Sequence, residues 1–250
     1  MTIYEIETYL QKTWDESLLT SEIKERGFAF ADPVKADLLI TGINPSWRNK
    51  LDEPKVNIHG PAIENLKPEV WKARNGKAWD TYFGPIRKML VDETRQINLL
   101  DRVDYLDLFH FKEQNQRFLR ENIIKGQPDH IDFLRRELRL TQRIIEENIR
   151  PRLILVKNRE SWAYWGKKEG CVWMGYQFEH IRDYACNGKA WGELCRIVGL
   201  QQSNERIAPE IESTSLKGTY VLFSNHINQY TKRENRPTAE LLNEILNETM

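Results

Sequence analysis

Four short uninterrupted apolar runs punctuate the chain, and segments whose apolar positions recur every three or four residues separate them. Thr2 and Glu5 form a candidate capping box for a first helix carrying Ile3, Ile6, Tyr9 and Leu10. The first strand is expected over Ala36 to Ile43, where Leu38-Leu39-Ile40 lies between Asp37 and Gly42. A run of this kind suits a strand buried on both faces. The stretch Ser46 to Gly76 is polar and carries Pro54, Pro61 and Pro68. It predicts a long loop with one short helix from Pro68, and loops of that length are usually functional or mobile. Asp80 is expected to cap a helix through Ile86, Met89 and Leu90. A second strand is expected over Val103 to Phe109, with Val103, Tyr105, Asp107 and Phe109 on one face by the two-residue period.

A long helix follows between Pro128 and Arg150, striped by Ile131, Leu134, Leu138, Ile145 and Ile149 and stopped by Pro151. Arg152 to Val156 is the third strand, and Asn158 suits the N-cap of a helix with Trp162 and Trp165. Residues 170–215 hold Gly175, Gly188, Gly192 and Gly199; they predict a hairpin plus a helix near Trp191 to Val198. Tyr220 to Phe223 is the fourth strand. Pro237 opens a last helix carrying Leu241, Leu242, Ile245 and Leu246.

Alternating buried strands and amphipathic helices imply a parallel sheet covered on both faces. The expectation is therefore one α/β domain spanning the chain. It would be a three-layer α/β/α fold around a central four-stranded, mainly parallel sheet, with a helical segment at about 1–30 and a core at about 36–246. In open sheets of this kind ligands bind outside the carboxyl ends of the strands. That rule selects Gly42 to Trp47, Asp107 to His110, Lys157-Asn158, and Ser224 to Asn228.

Charge narrows the options. Lys plus Arg total 37, Asp plus Glu total 37, and the formal net charge is zero. No overall positive excess drives non-specific nucleic-acid binding, although a local basic patch remains compatible. Cys171, Cys186 and Cys195 form neither a CxxC pair nor a metal-ligand spacing, which fits a reducing compartment. The amphipathic, acidic N-terminus is unlike a secretory or transit peptide, and no apolar run approaches the ~20 residues that span a bilayer. A soluble, cytoplasmic protein without membrane contact is expected. No P-loop and no GxGxxG follows the first strand, which disfavours nucleoside-triphosphate and dinucleotide binding. Most of the eight tryptophans are expected in the core.

The segment Asp37-Leu-Leu-Ile-Thr-Gly-Ile-Asn-Pro-Ser46 resembles the first motif of the uracil-DNA glycosylase superfamily, in particular its mismatch-specific and single-strand-selective branches. Ser224-Asn-His-Ile-Asn228 resembles the second motif, where many members place a His or an Asn; here that position is His226. Between them, Ala78 to Leu90 is similar to the family's aromatic-Gly helix start. Val103 to Phe109 resembles the strand ending in a base-reading Asn, a place taken by Asp107. Pro151 to Val156, with a helix ending at Gly166, resembles the third strand unit. The order matches over about residues 36–240. Ser46 replaces a glycine, the usual Pro-Ser after the second motif is absent, and the cysteines of the iron–sulfur branch are missing. The resemblance implies a uracil-DNA glycosylase-like fold that flips a uracil, or another damaged or mismatched base, out of DNA and hydrolyses its N-glycosidic bond. It implies a monomer with no cofactor, no metal and no iron–sulfur cluster.

Such a reaction needs a nucleotide drawn out of the stack, a water placed on the sugar's far face, and donors facing the charge that develops on the departing base. Asn44 carries a donor and an acceptor and suits the water; its plainer reading is a strand-ending turn. A neutral His226 can donate to a base carbonyl, or merely close the end of a strand. Asp107 has three candidate roles: reading a base edge rich in N–H groups, donating while protonated, or activating the water. Its plainer reading is a cap or an internal ion pair. Gly42, Ile43, Pro45, Ser46 and Asn228 are the expected substrate contacts, with Tyr82 or Phe83 stacking on the base. Lys232 and Arg233 are the candidate nucleic-acid contacts. Two other functions remain open: a catalytically inactive nucleic-acid-binding relative, and an enzyme acting on a free nucleoside or nucleotide. All three need Asn44, Asp107 and His226 at one cavity.

Overall fold

A computed structural model describes residues 1–46, 77–113, 121, 123, 125 and 128–248. The predicted loop through residues 47–76, with its short helix from Pro68, lies outside the described residues. Helix α1 (Ile3–Glu16) begins in the expected capping box, with Thr2 and Glu5 bonded reciprocally, and a short α2 (Ser21–Arg26) follows. Strand β1 (Leu38–Gly42) is buried at all five positions. Helix α3 (Lys77–Leu90) starts three residues before Asp80, so Asp80 lies within it and does not cap it. A small hairpin, β2 (Val91–Asp92) and β3 (Ile97–Asn98), leads to β4 (Val103–Asp107). Helix α4 (Pro128–Ile144) closes through a π-turn over Ile145–Ile149, where Arg150 turns left-handed and donates its N–H to the Ile145 carbonyl at 2.9 Å. Strand β5 (Leu153–Val156) follows. Asn158 caps as expected, accepting the Glu160 N–H, but the helix it opens is a 3-10 turn over Arg159–Ala163. Then come β6 (Tyr176–Cys186), β7 (Lys189–Leu200), β8 (Tyr220–Ser224) and α5 (Ala239–Glu248).

Among the described residues the sheet has six strands, not four, in the order β4-β1-β5-β8-β7-β6. The first four are parallel, and β7 and β6 extend the sheet antiparallel to β8 and to each other. The hairpin was expected; the helix near Trp191 to Val198 is instead strand β7. Its cause is local. Asn187 and Gly188 both take positive φ, 50° and 74°, the requirement of a two-residue hairpin turn. Gly192 and Gly199 also disfavour a helix here. On β7, Leu194, Cys195 and Ile197 become buried against β8, and Tyr184 stacks on Trp191 across the hairpin at 5.1 Å.

The period of two sorts the core into two layers. Leu39, Ile154, Val156, Val221 and Phe223 face α1 and α4, meeting Ile6, Leu10, Leu134 and Leu138. Leu38, Ile40, Tyr105, Leu155 and Leu222 face α3 and α5, meeting Ile86, Met89, Leu242 and Ile245. Residue 109 breaks the expected alternation. Strand β4 ends at Asp107, and Phe109 turns into the α1–α4 layer while Val103 and Tyr105 stay in the other. Of the tryptophans, Trp14, Trp165 and Trp191 are buried in the core.

Glu146, in the π-turn, fastens the irregular segment before β8. Its carboxylate accepts from Tyr176 Oη at 3.0 Å, Thr214 Oγ1 at 2.6 Å, the Ser215 N–H at 2.7 Å and Ser215 Oγ at 2.6 Å.

Candidate functional site at the carboxyl edge of the sheet

The parallel strands all end on one edge, and the connections out of β1 and β4 diverge there. The chain leaves β1 for β4 on one side and returns across to β5 on the other. Such a switch point opens a crevice between neighbouring strand ends.

Gly42 pairs with Asp107 at the last register position. Beyond the strands the two chains stay joined: Leu108 N–H donates to the Gly42 carbonyl at 3.1 Å, Phe109 N–H to Ile43 at 2.8 Å, and Glu113 N–H to Pro45 at 3.1 Å. Asp107 Oδ1 accepts the Tyr105 hydroxyl at 2.8 Å. Both groups lie over the Gly42 backbone. A Cβ at residue 42 would stand 2.0 Å from Asp107 Oδ1 and 2.1 Å from Tyr105 Oη, so only glycine leaves room for the pair. Burial pushes the Asp107 carboxyl up to about 6, against the lowering influence of the Tyr105 hydroxyl, the Lys157 charge and His110.

Lys157 follows β5 directly and is buried, 3% exposed. His226 lies two residues past β8, with its residue surface largely open. Partial desolvation of the ring lowers the His226 pKa, the Lys157 ammonium lowers it further, and Glu160 opposes them. Lys157 is thus near enough to act on both Asp107 and His226. Across the edge, the exits of β4, β1, β5 and β8 present Asp107, Asn44, Lys157 and His226 in that order.

Asn44 is partly buried at the turn after β1, and its Nδ2 donates to the Pro45 carbonyl at 3.0 Å. Ile43 packs in the α1–α4 core layer, so only its backbone faces the turn. Ser46 is exposed and bridges to Glu113. Phe83 sets its ring edge-on to Tyr105 at 5.8 Å, beside the Tyr105–Asp107 pair. Tyr82 is in α3, its side chain outside the described residues. Asn228 closes a tight turn, its Oδ1 accepting the Tyr230 N–H at 2.8 Å. Lys232 is exposed. Arg233 pairs with Asp92 at 2.9 Å, past the far end of α3 and away from the strand ends.

Two groups at this edge escaped the sequence reading. Lys157 was within a segment selected by topology, and its signal was a charge directly behind four buried apolar residues. The second is the buried pair His110–Glu137, where Glu137 Oε2 accepts the His110 N–H at 2.6 Å and lies 3.0 Å from Nδ1. His110 Nε2 has no hydrogen-bond partner among the described residues. Neither spacing nor pattern joins residues 110 and 137 in sequence; the contact follows from α4 packing on the sheet.

Among the described residues there is no group of His, Cys, Asp or Glu able to hold a metal ion, and no helix is long and apolar enough to cross a membrane. No protein-family model, curated protein or solved structure matches this chain.

Proposed function

We propose that the carboxyl edge hydrolyses the N-glycosidic bond of a nucleobase, as a divergent relative of the uracil-DNA glycosylases. The observation that carries this reading is the placement of Asn44, Asp107, Lys157 and His226 along four adjacent strand exits at a switch point. A uracil or another damaged or mismatched base would enter after leaving the DNA stack. Asn44 orients a water toward C1′ of the sugar. Above about pH 6, Asp107 is ionised and takes the proton as the water oxygen bonds to C1′. The C1′–N bond breaks and its electron pair leaves with the base. Neutral His226 donates an N–H to the base oxygen that gains charge, and Lys157 adds a fixed positive field to the same place.

The test is base release from oligonucleotides carrying uracil, hypoxanthine or mismatched thymine, compared with Asn44→Ala, Asp107→Asn and His226→Ala. Release by the wild type and a fall of about 100-fold or more in the variants is expected, the usual range for an acid–base group. No release of any base overturns the reading.

A second reading has its own support. Arg233 is bound to Asp92 away from the edge, and the net charge is zero, which suits a free nucleoside better than a duplex. Free nucleosides in the same assay separate the two: ribose or deoxyribose release from them, without release from oligonucleotides, selects a nucleoside hydrolase.

A further inference from the structure

A cleft separate from the strand exits lies between α3 and the start of α5. It encloses about 590 Å³ and is lined by Gly84, Arg87, Lys88, Arg233, Arg236 and Thr238, among others. That volume falls within the roughly 300–1,000 Å³ of small-molecule sites. Four cationic side chains meet two carboxylates there, Asp92 and Glu93, and Asp92 is already engaged by Arg233 at 2.9 Å.

Arg236 is the informative residue. It is partly buried, and one Nη1 reaches the Pro85 carbonyl at 3.5 Å, a long contact for a charged donor. Arg233 stands close enough to repel it, so both desolvation and a like charge act against its ionisation. Guanidinium groups stay charged in proteins, so Arg236 bears this cost continuously unless an anion joins it. Thr238 and Ala239 bring the first turn of the ten-residue α5, the positive end of its dipole, to the cleft. Thr238 caps that turn by accepting the Leu241 N–H at 3.2 Å.

We propose that this cleft binds a phosphate-bearing ligand, with Arg236 and Arg233 as its principal cationic contacts and Arg87 and Lys88 at its rim. Planar guanidinium forks match the paired oxygens of a phosphate or diphosphate group. The group can belong to a small phosphorylated molecule or to a nucleic-acid backbone. The site does not depend on hydrolysis at the strand exits.

The test is calorimetric titration of the full chain with inorganic pyrophosphate at low ionic strength. One site per chain is expected, weakened by about tenfold in Arg236→Gln, the loss of one charge-assisted bond. Asp92→Asn is expected to bind more tightly, because it removes a competing carboxylate. Lys189→Gln, an exposed charge outside the cleft, is expected to bind as the wild type does. Thermal unfolding of each variant verifies that it is folded. Absence of pyrophosphate binding by the wild type overturns the proposal, as does equal weakening by Arg236→Gln and Lys189→Gln, which marks diffuse charge only. A competing single-stranded oligonucleotide identifies the source: displacement of pyrophosphate points to a backbone phosphate, and no displacement points to a free ligand. Base-release activity is scored separately, so failure at one site leaves the other intact.

Discussion

Tyr105 and Asp107, two residues apart on β4, share a 2.8 Å hydrogen bond above the backbone of Gly42. The hydroxyl stabilises the ionised carboxylate while burial resists ionisation, and burial dominates. The acidity of the proposed base is therefore set by burial, with the phenol as the largest opposing influence.

Removing that phenol has a defined sign. In Tyr105→Phe the Asp107 carboxyl is expected to titrate above about 6, because a donor to its charged form is lost. Carboxyl carbon NMR reads the midpoint. If base release occurs, the acid limb of its pH profile is expected to move up by the same amount. An unchanged midpoint contradicts the hydrogen bond's electrostatic role.

Asp107→Asn is expected to stabilise the fold and, if base release occurs, to slow it by about 100-fold or more. The folded carboxyl titrates at about 6 and the unfolded one near 3.8, so the wild type loses stability as pH rises between them. Asparagine keeps an acceptor for Tyr105 and never ionises. The variant is expected to match the wild type at pH 3.5 and to exceed it by about 1–3 kcal/mol above pH 7, following the linkage between pKa and stability. Urea unfolding across pH measures this. A difference independent of pH refutes the linkage.

Lys157→Met couples the two sides of the edge. The Lys157 charge lowers the pKa of both Asp107 and His226, so its removal is expected to raise both. Imidazole proton NMR follows His226, and carboxyl carbon NMR follows Asp107. A rise in one group alone shows that the two do not share Lys157.

Glu146→Ala tests the anchor behind the sheet. Tyr176 Oη, Thr214 Oγ1 and the Ser215 N–H lose their carboxylate acceptor, the first of them buried, while Ser215 Oγ keeps the Glu146 carbonyl at 2.9 Å. A loss of about 3 kcal/mol is expected, since each stranded buried donor costs about 1–3 kcal/mol. Hydrogen exchange is expected to accelerate first in residues 211–219, ahead of β8. Uniform acceleration over the whole domain excludes a local anchor.

Much of this architecture is written in local patterns. The runs Leu38-Leu39-Ile40, Leu153 to Val156 and Tyr220 to Phe223 are strands because every position is apolar and both faces are covered. Their carboxyl ends, with that of Val103 to Asp107, then single out Gly42 to Ser46, Asp107, Lys157 and His226 without knowledge of any partner. The hairpin was harder. Register shifts at Gln177/Phe178, His180/Arg182 and Tyr184/Ala185 break the two-residue period, so the apolar spacing of Trp191 to Val198 also fits a helix. The decisive local signal was Asn187-Gly188. Contacts between distant segments left no trace of this kind. The meeting of His110 with Glu137 depends on packing, and Arg233 turns to Asp92 because the chain after His226 runs back along α3. Gly42 reads as a turn glycine from sequence, whereas in the fold it is the floor beneath Tyr105 and Asp107.

Strand β6 is the outermost member of the sheet, and it carries Glu179, His180, Arg182 and Asp183 in succession around Ile181. Arg182 reaches Glu248 at the end of α5, and Glu179 holds Arg196 at 2.6 Å. A seventh strand laid against this border would have to strip water from those charges and prise a helix terminus loose. The charges on this border are of the kind that discourages strand-by-strand growth from one molecule to the next.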